Sequence, residues 1–508
     1  MWKTVLAALG LFSAASANAA WHEARSKHFT VYADEDPAKL KQYASRLERF
    51  DAAVREARGV PDVETGAATR VTLFLLRDLT ELRRIYGDKE ASVAGFYLPK
   101  ASGSLAFMPE VAEKGAFSLA SDNIFFHEYT HHLMLQDADR PLPTWLTEGF
   151  AEFFATPKFN DDGSVTIGAP PKYRAETLYS AENDRIPLAK MLSGDFLYVT
   201  GQEYESLYGR GWLLTHLLSF ELKRRGQLTR YLNEIQAGVP AMDAATHAFG
   251  DIKALDRQLN EYFKRDVFTV TTIPAAKLHL PLIEVRALPP GEAAMLPLKM
   301  RLLRGGKKLF EKELAGRARG IARKYPDEPA VQETLARAEL AADYPQSASE
   351  AADRALQKNP KSDEAMLLKG RAMLAMAKTA PAKADWAAIR SVIARANRLD
   401  PENAEPLVLF YRTFVVQGVR PTKNAIDGLF YAVALAPQDS QLRLELIGRL
   451  IDDDRLDDAR LALVPLAYSP HRGKWHDAVS AILAQVIARN RTEAKVKWQA
   501  ALKYFEDD

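Results

Sequence analysis

The chain has 508 residues, 47% hydrophobic and 26% charged, which is enough apolar material for more than one core and lies within the ordinary soluble range. Lys and Arg number 68 against 66 Asp and Glu, so no basic excess marks nucleic acid or an anionic membrane as the main partner. There is no cysteine, which excludes a disulfide framework, a lipidated cysteine and a cysteine-rich structural metal site.

The chain opens on an address label. Lys3 precedes an apolar run from Thr4 to Ala15, and Ala17-Asn18-Ala19 supplies small residues for cleavage. Residues 1–19 read as a signal peptide, which places the mature chain, from Ala20, in the bacterial periplasm or outside the cell. The run is short for a bilayer, and no later stretch reaches the roughly 20 apolar residues of a membrane helix. No membrane span is expected after cleavage.

Residues 20–266 mix strands and helices in an order that predicts an α+β unit with a helical second half. Phe29–Ala33, Val71–Leu75, Val93–Tyr97 and Ser104–Met108 are rich in β-branched and aromatic residues and read as strands. Ala38–Arg58 reads as an amphipathic helix. A further helix is predicted over Ser121–Gln136, with a good N-cap, Asp122 in its first turn and neither Pro nor Gly inside.

That last helix carries His127-Glu-Tyr-Thr-His131. Residues four apart project from one helical face, the spacing two imidazoles need to reach one tetrahedral zinc. Glu128 is offset from that face, as suits a carboxylate that takes a proton from a metal-bound water. His132 points elsewhere and reads as a packing or surface histidine. Beyond a turn at Pro141 and Pro143, Thr144–Phe154 predicts a second helix with Glu148 and, one turn later, Glu152.

His-Glu-x-x-His followed by Trp145-Leu-x-Glu148-Gly-Phe-Ala151 resembles the gluzincins, the zinc peptidase group that includes thermolysin and aminopeptidase N. The resemblance covers roughly residues 90 to 225 and implies a gluzincin-type catalytic domain. It makes Glu148 the third metal ligand beside His127 and His131, and Glu128 the catalytic base. Glu152 stands where thermolysin-like enzymes place an acid that orients a ligating imidazole; periodicity alone equally allows a solvent-facing glutamate. In the aminopeptidase branch the oxyanion donor is a tyrosine in Tyr-x-x-Gly some sixty residues after the third ligand, which here selects Tyr208 of Tyr208-Gly-Arg-Gly211. Tyr204, one turn earlier, is the alternative, and either ring could instead pack with Leu207 and Leu214. The motif Gly-x-Met-Glu-Asn is absent, which favours an endopeptidase over an aminopeptidase. Ser104–Met108 is then the expected sheet edge for a peptide substrate.

Residues 267–310 contain several prolines and short β-like runs such as Phe268–Thr272, and read as a connector or small β-like subdomain. From 311 to 508 the chain is rich in Ala, Leu and Arg at helical spacing, and Pro recurs at 326, 360, 401, 437 and 470. Ala355-Leu356 before Asn359-Pro360, then Leu367 and Gly370, resemble the packing positions of tetratricopeptide repeats, which implies an all-α solenoid. Two functions follow as expectations. One is an exported zinc peptidase whose repeats recruit a substrate or partner protein; the other is a repeat-based interaction scaffold with a latent or peptide-capturing zinc domain.

Overall fold

A computed structural model describes residues 21–63, 66–88, 93–110, 121–137, 142–174, 178, 185–194, 201–305, 308–467 and 475–504. The proposed signal peptide, Pro141 and Pro470 lie outside these residues. The described chain is mostly helical, with a mixed sheet in its N-terminal part.

The sheet has six strands in the order β4-β5-β3-β2-β1-β9. They are β1 (His22–Arg25), β2 (Phe29–Ala33), β3 (Val71–Leu76), β4 (Phe96–Leu98), β5 (Leu105–Pro109) and β9 (Glu284–Ala287). Strands β2, β3 and β5 run parallel, whereas β4, β1 and β9 pair antiparallel with their neighbours. Alternate side chains serve two cores, as a strand covered on both faces requires. Phe29, Val31, Leu73 and Met108 pack toward α1 (Pro37–Arg58) and α3 (Ser121–Asp137). Tyr32, Phe74, Leu76 and Phe107 face the other way, onto α2 (Leu79–Tyr86) and α10 (Pro290–Arg304).

After α3 come α4 (Thr144–Phe154), the short strands β6 (Lys158–Phe159) and β7 (Val165–Ile167), α5 (Leu188–Ser193) and the long α6 (Gly201–Phe220). Helices α7 (Gln227–Gln236), α8 (Ala241–Phe249) and α9 (Ile252–Phe263) complete the helical half. Strand β8 (Thr271–Ile273) pairs with β7.

Two expectations are corrected here. Ser104–Met108 is not a sheet edge, because β5 has β3 on one side and β4 on the other; among the described residues the edge strands are β4 and β9. Residues 267–310 do not form a separate connector. They supply β8 to the small sheet, β9 to the main sheet and α10 to the second core, where Leu296 and Met300 pack on Phe74 and Phe107.

From α10 onward the chain is an array of helices: α11 (Lys308–Ala322), α12 (Pro329–Ala341), α13 (Pro345–Lys358), α14 (Asp363–Thr379), α15 (Trp386–Leu399), α16 (Ala404–Gln417), α17 (Lys423–Leu435), α18 (Ser440–Asp452), α19 (Leu456–Ala467), α20 (His476–Ile487) and α21 (Arg491–Ala501). Each helix packs on the next, and α10, α12, α14 and α16 also touch in series, which is how stacked helical pairs build a repeat. Along that series each arginine reaches a glutamate of the following pair: Arg337 to Glu364, Arg371 to Glu405, and Arg412 to Glu445 at 2.8 Å. The array then returns to the sheet domain. Ala68 is buried in the core of α16 to α21, and Gln438, in the α17–α18 turn, donates to the carbonyls of Ala68 (2.9 Å) and Lys100 (3.2 Å).

Candidate metal centre

Helix α3 is fixed at its N-terminal end and in its middle. Asp122 accepts from Arg46 at 2.6 Å and from the Tyr43 hydroxyl at 3.2 Å, and the Asn123 amide donates to the Ala155 carbonyl at the end of α4 at 2.7 Å. Tyr129, on the face opposite the ligands, donates to the buried Asp51 of α1 at 2.8 Å.

Helix α4 crosses α6 where both have glycine. A Cβ on Gly149 would lie 2.5 Å from the Gly211 carbonyl oxygen and 2.4 Å from Thr215 Oγ1, and one on Gly211 would lie 2.8 Å from the Trp145 carbonyl. The backbones therefore approach more closely than any side chain would allow. That crossing sets Glu148 at the face of α3 that carries His127 and His131 and brings Tyr208, one turn before Gly211, near His127.

The structure gathers His127, His131 and Glu148 at one point. His127 Nε2 lies 3.1 Å from His131 Nε2 and 3.1 Å from Glu148 Oε2, and His131 Nε2 lies 3.4 Å from Glu148 Oε1. Two imidazoles aimed nitrogen to nitrogen with a carboxylate between them are poor mutual hydrogen-bond partners. Both Glu148 oxygens are buried yet accept no well-aligned hydrogen bond. Ligand atoms of a tetrahedral zinc, bound at about 2.0–2.1 Å, lie about 3.3 Å from one another. The Nε2–Nε2 separation is close to such an edge and each imidazole meets a different oxygen of Glu148, so two imidazoles and one carboxylate lie close enough together to hold a divalent metal.

The electrostatics agree with a site built for positive charge. Burial pushes the Glu148 carboxyl up, but the His131 charge and its contacts with His127 and His131 outweigh this and hold it far below the usual carboxylate range. Burial pushes His127 down, yet its contact with Glu148 and the charges of Glu152, Glu148 and Glu128 leave it raised. Both carboxylates favour a cation at the imidazole pair, whether proton or metal.

Glu152 is fully buried, not solvent-facing. Its Oε1 lies 3.4 Å from His127 Nδ1, and it is itself held by the Tyr173 hydroxyl at 2.7 Å and by Arg174 Nε at 2.8 Å. The Arg174 guanidinium also covers the Tyr208 ring, 4.4 Å from its centre. Glu128 and Tyr208 line a cavity of about 180 Å³ together with His127, Ile124 and these two residues. The Tyr208 ring centre is 6.1 Å from that of His127. Tyr204 lies on the same helix, but its side chain is outside the described residues.

Tyr173 and Arg174 were not anticipated from the sequence. The only local signal is Pro170-Pro171, which ends the preceding extended segment and starts the single turn Lys172–Arg174. His132 is also more engaged than expected. It is buried, its Nε2 donates to the Thr69 carbonyl at 2.8 Å, and its Nδ1 therefore accepts from the Tyr97 hydroxyl at 3.0 Å. The Gln136 side-chain nitrogen lies 2.7 Å from the same Nε2.

A second buried group, His28, Glu48 and Asp51, has three possible donors close together. Here they are already engaged. Arg55 Nε binds both Asp51 oxygens at 2.9 and 3.0 Å, the His28 main-chain N–H donates to Glu48 at 3.1 Å, and His28 Nδ1 meets Glu48 at 2.7 Å. This is an ion-pair cluster that ties α1 to the β1–β2 loop.

Residues 123–241 match the family described as "Protein of unknown function (DUF1570)", a span that contains all six of the residues His127, Glu128, His131, Glu148, Glu152 and Tyr208. No curated protein matches the chain. Among solved structures, a thermophilic TPR protein of Thermus thermophilus is similar at 19% identity and a TM-score of 0.32, over 42% of this chain and 99% of that one.

Proposed function

We propose that the chain is an exported zinc-dependent peptidase of the gluzincin type, acting in the periplasm or beyond the cell. The observation that carries this reading is the set of three donor separations, 3.1, 3.1 and 3.4 Å, among two imidazoles and one carboxylate beside a cavity with a further carboxylate. Bound there, zinc would polarise a substrate carbonyl and acidify a water molecule. Glu128 would accept a proton from the attacking water as the water oxygen bonds to the peptide carbonyl carbon. Tyr208 donates a hydrogen bond to the carbonyl oxygen as negative charge builds on it. Glu128 then returns the proton to the leaving amine as the C–N bond breaks, so the residue ends as it began. Glu152, held by Tyr173 and Arg174, keeps the Nδ1 proton of His127 pointed inward and its Nε2 free to ligate. An extended peptide would add along β4, the edge strand that lies against α3, and endoproteolysis is favoured over removal of single N-terminal residues.

A second reading is a protein-interaction scaffold whose zinc domain is latent or only captures peptide. The extent of the array supports it, since α10 to α21 make up the C-terminal two-fifths of the chain and stacked helical pairs offer long surfaces to a partner protein.

Elemental analysis of the purified chain separates the readings when joined to a peptide-library assay. The peptidase predicts about one zinc per chain, lost in His127→Ala, and hydrolysis abolished in Glu128→Gln with zinc retained. Zinc without any hydrolysis would favour the scaffold. No zinc in the wild type, even after incubation with the metal, would overturn the metal reading itself.

A further inference from the structure

The turn Ala67–Thr69 has adjacent carbonyls committed to two distant parts of the molecule. The Ala68 carbonyl accepts from Gln438 of the array, and the Thr69 carbonyl accepts from His132 of the ligand helix, next in sequence to His131. The array grips this turn in several further ways. Ala68 is buried among α16 to α21, Gly66 lies so close to Glu402 that a Cβ there would fall 2.0 Å from the Glu402 Cβ, and the Asp439 carboxylate accepts from the Ala101 N–H. Gln438 also holds the Lys100 carbonyl, in the turn that joins β4 to β5. On the far side of His132, Tyr97 of β4 donates to Nδ1. One imidazole thus joins helix α3, the edge strand β4 and the turn held by the array, with Nε2 toward the Thr69 carbonyl and Nδ1 toward the Tyr97 hydroxyl.

We propose that the helical array positions the metal centre through this turn, with His132 as the positioning residue and Gln438 as its anchor. The inference rests on the metal-site reading above. His132 touches neither metal nor substrate. Its two hydrogen bonds set how far and at what rotation α3 stands from β4, and so where the His131 imidazole points relative to Glu148 and to a peptide laid along the edge. The array is accordingly part of the machinery that shapes the site, in addition to any surface it offers a partner.

The test uses the full chain and cobalt(II), whose visible bands report ligand geometry, beside zinc affinity measured by competition with a chelator. The variants are Gln438→Ala, His132→Phe, which fills the space but makes neither hydrogen bond, and the two combined. Each single variant is expected to weaken metal binding about fivefold, the scale of one or two hydrogen bonds, and to shift the cobalt bands. The double variant is expected to lose no more than the worse single one, because both break the same connection. His132→Gln, which can still donate to Thr69, should recover part of the affinity. Gln438→Met, which keeps the volume and removes the donor, replaces Gln438→Ala if that variant does not fold. If the wild type binds metal but the variants bind it equally well with unchanged bands, or their losses simply add, the positioning inference falls alone. If the wild type binds neither cobalt nor zinc, the metal-site reading falls and this inference with it.

Discussion

At the scale of single residues the site depends on close approach. Gly149→Ala is expected to cost about 3 kcal/mol, the upper part of the range for overpacking, because the new methyl meets backbone that cannot move aside. Urea unfolding should show this as a lower midpoint with an unchanged slope. His132 and His216 make a second, pH-dependent prediction. Burial pushes both down to about 4, with the Thr69 and Thr269 carbonyls opposing only in part. Between that value and 6.5 the unfolded chain binds more protons than the folded one, so stability of the metal-free protein falls as pH drops through this window. The limit is about 1.4 kcal/mol per pH unit for each histidine. His28 acts in the opposite sense: burial lowers it, but Glu48 and Asp51 raise it overall, so its contribution is complete below pH 6.5 and is lost as pH rises through its folded value. Glu333, which burial raises to about 7, opposes the two depressed histidines in the same window, so the check is differential: from pH 4.5 to 6.5 His216→Phe should lower the slope of the urea midpoint against pH by about one proton relative to the wild type. The approach of His127 to His131 was legible in the sequence because a spacing of four is a property of the helix itself, and the Glu148 segment that meets them is similarly local. Arg174 was not, since nothing in its neighbourhood of the chain indicates that it will lie over a ring 34 residues away.

Elements were legible where their chemistry is local and illegible where it depends on a distant partner. Phe29–Ala33 and Val71–Leu76 were evident from β-branched and aromatic residues. Strand β9 was hidden, because Glu284–Ala287 becomes a strand only by pairing with His22–Arg25, some 260 residues earlier. Strand order was equally hidden: alternation marks Leu105–Pro109 as sheet but does not say what lies beside it, so it could not show that the edges are β4 and β9. Helix α10 makes the same point with energetic weight. Leu296 and Met300 are buried against the outer face of the sheet, so Leu296→Ala is expected to destabilise the sheet domain by about 2–5 kcal/mol although it belongs to the array. Amide exchange in β3 and β5 should accelerate in that variant, whereas a helix outside the sheet core would leave those strands protected.

For the whole molecule, the recurring prolines predicted a helical repeat, and the described residues from α10 onward are one. What the repeats rest on was not predictable, because an alanine at 68 and a glutamine at 438 carry no pattern. The expected outcome of cutting the chain before α10 follows from the shared core. A fragment ending at residue 288 would expose Phe74, Leu76, Leu82 and Phe107 to water and should aggregate or stay unfolded, which light scattering and circular dichroism of that fragment would register.

The array leaves the sheet domain at α10 and comes back to it at Gln438, so the number of helical pairs between these points is not free. The arginine–glutamate rungs are alike from pair to pair, and removing one pair would let the rungs on either side reconnect. The same deletion would bring a different turn to Ala68 and strand Gln438 one pair away. Length in this array works as a ruler: the helical pairs between α10 and the Gln438 turn are counted.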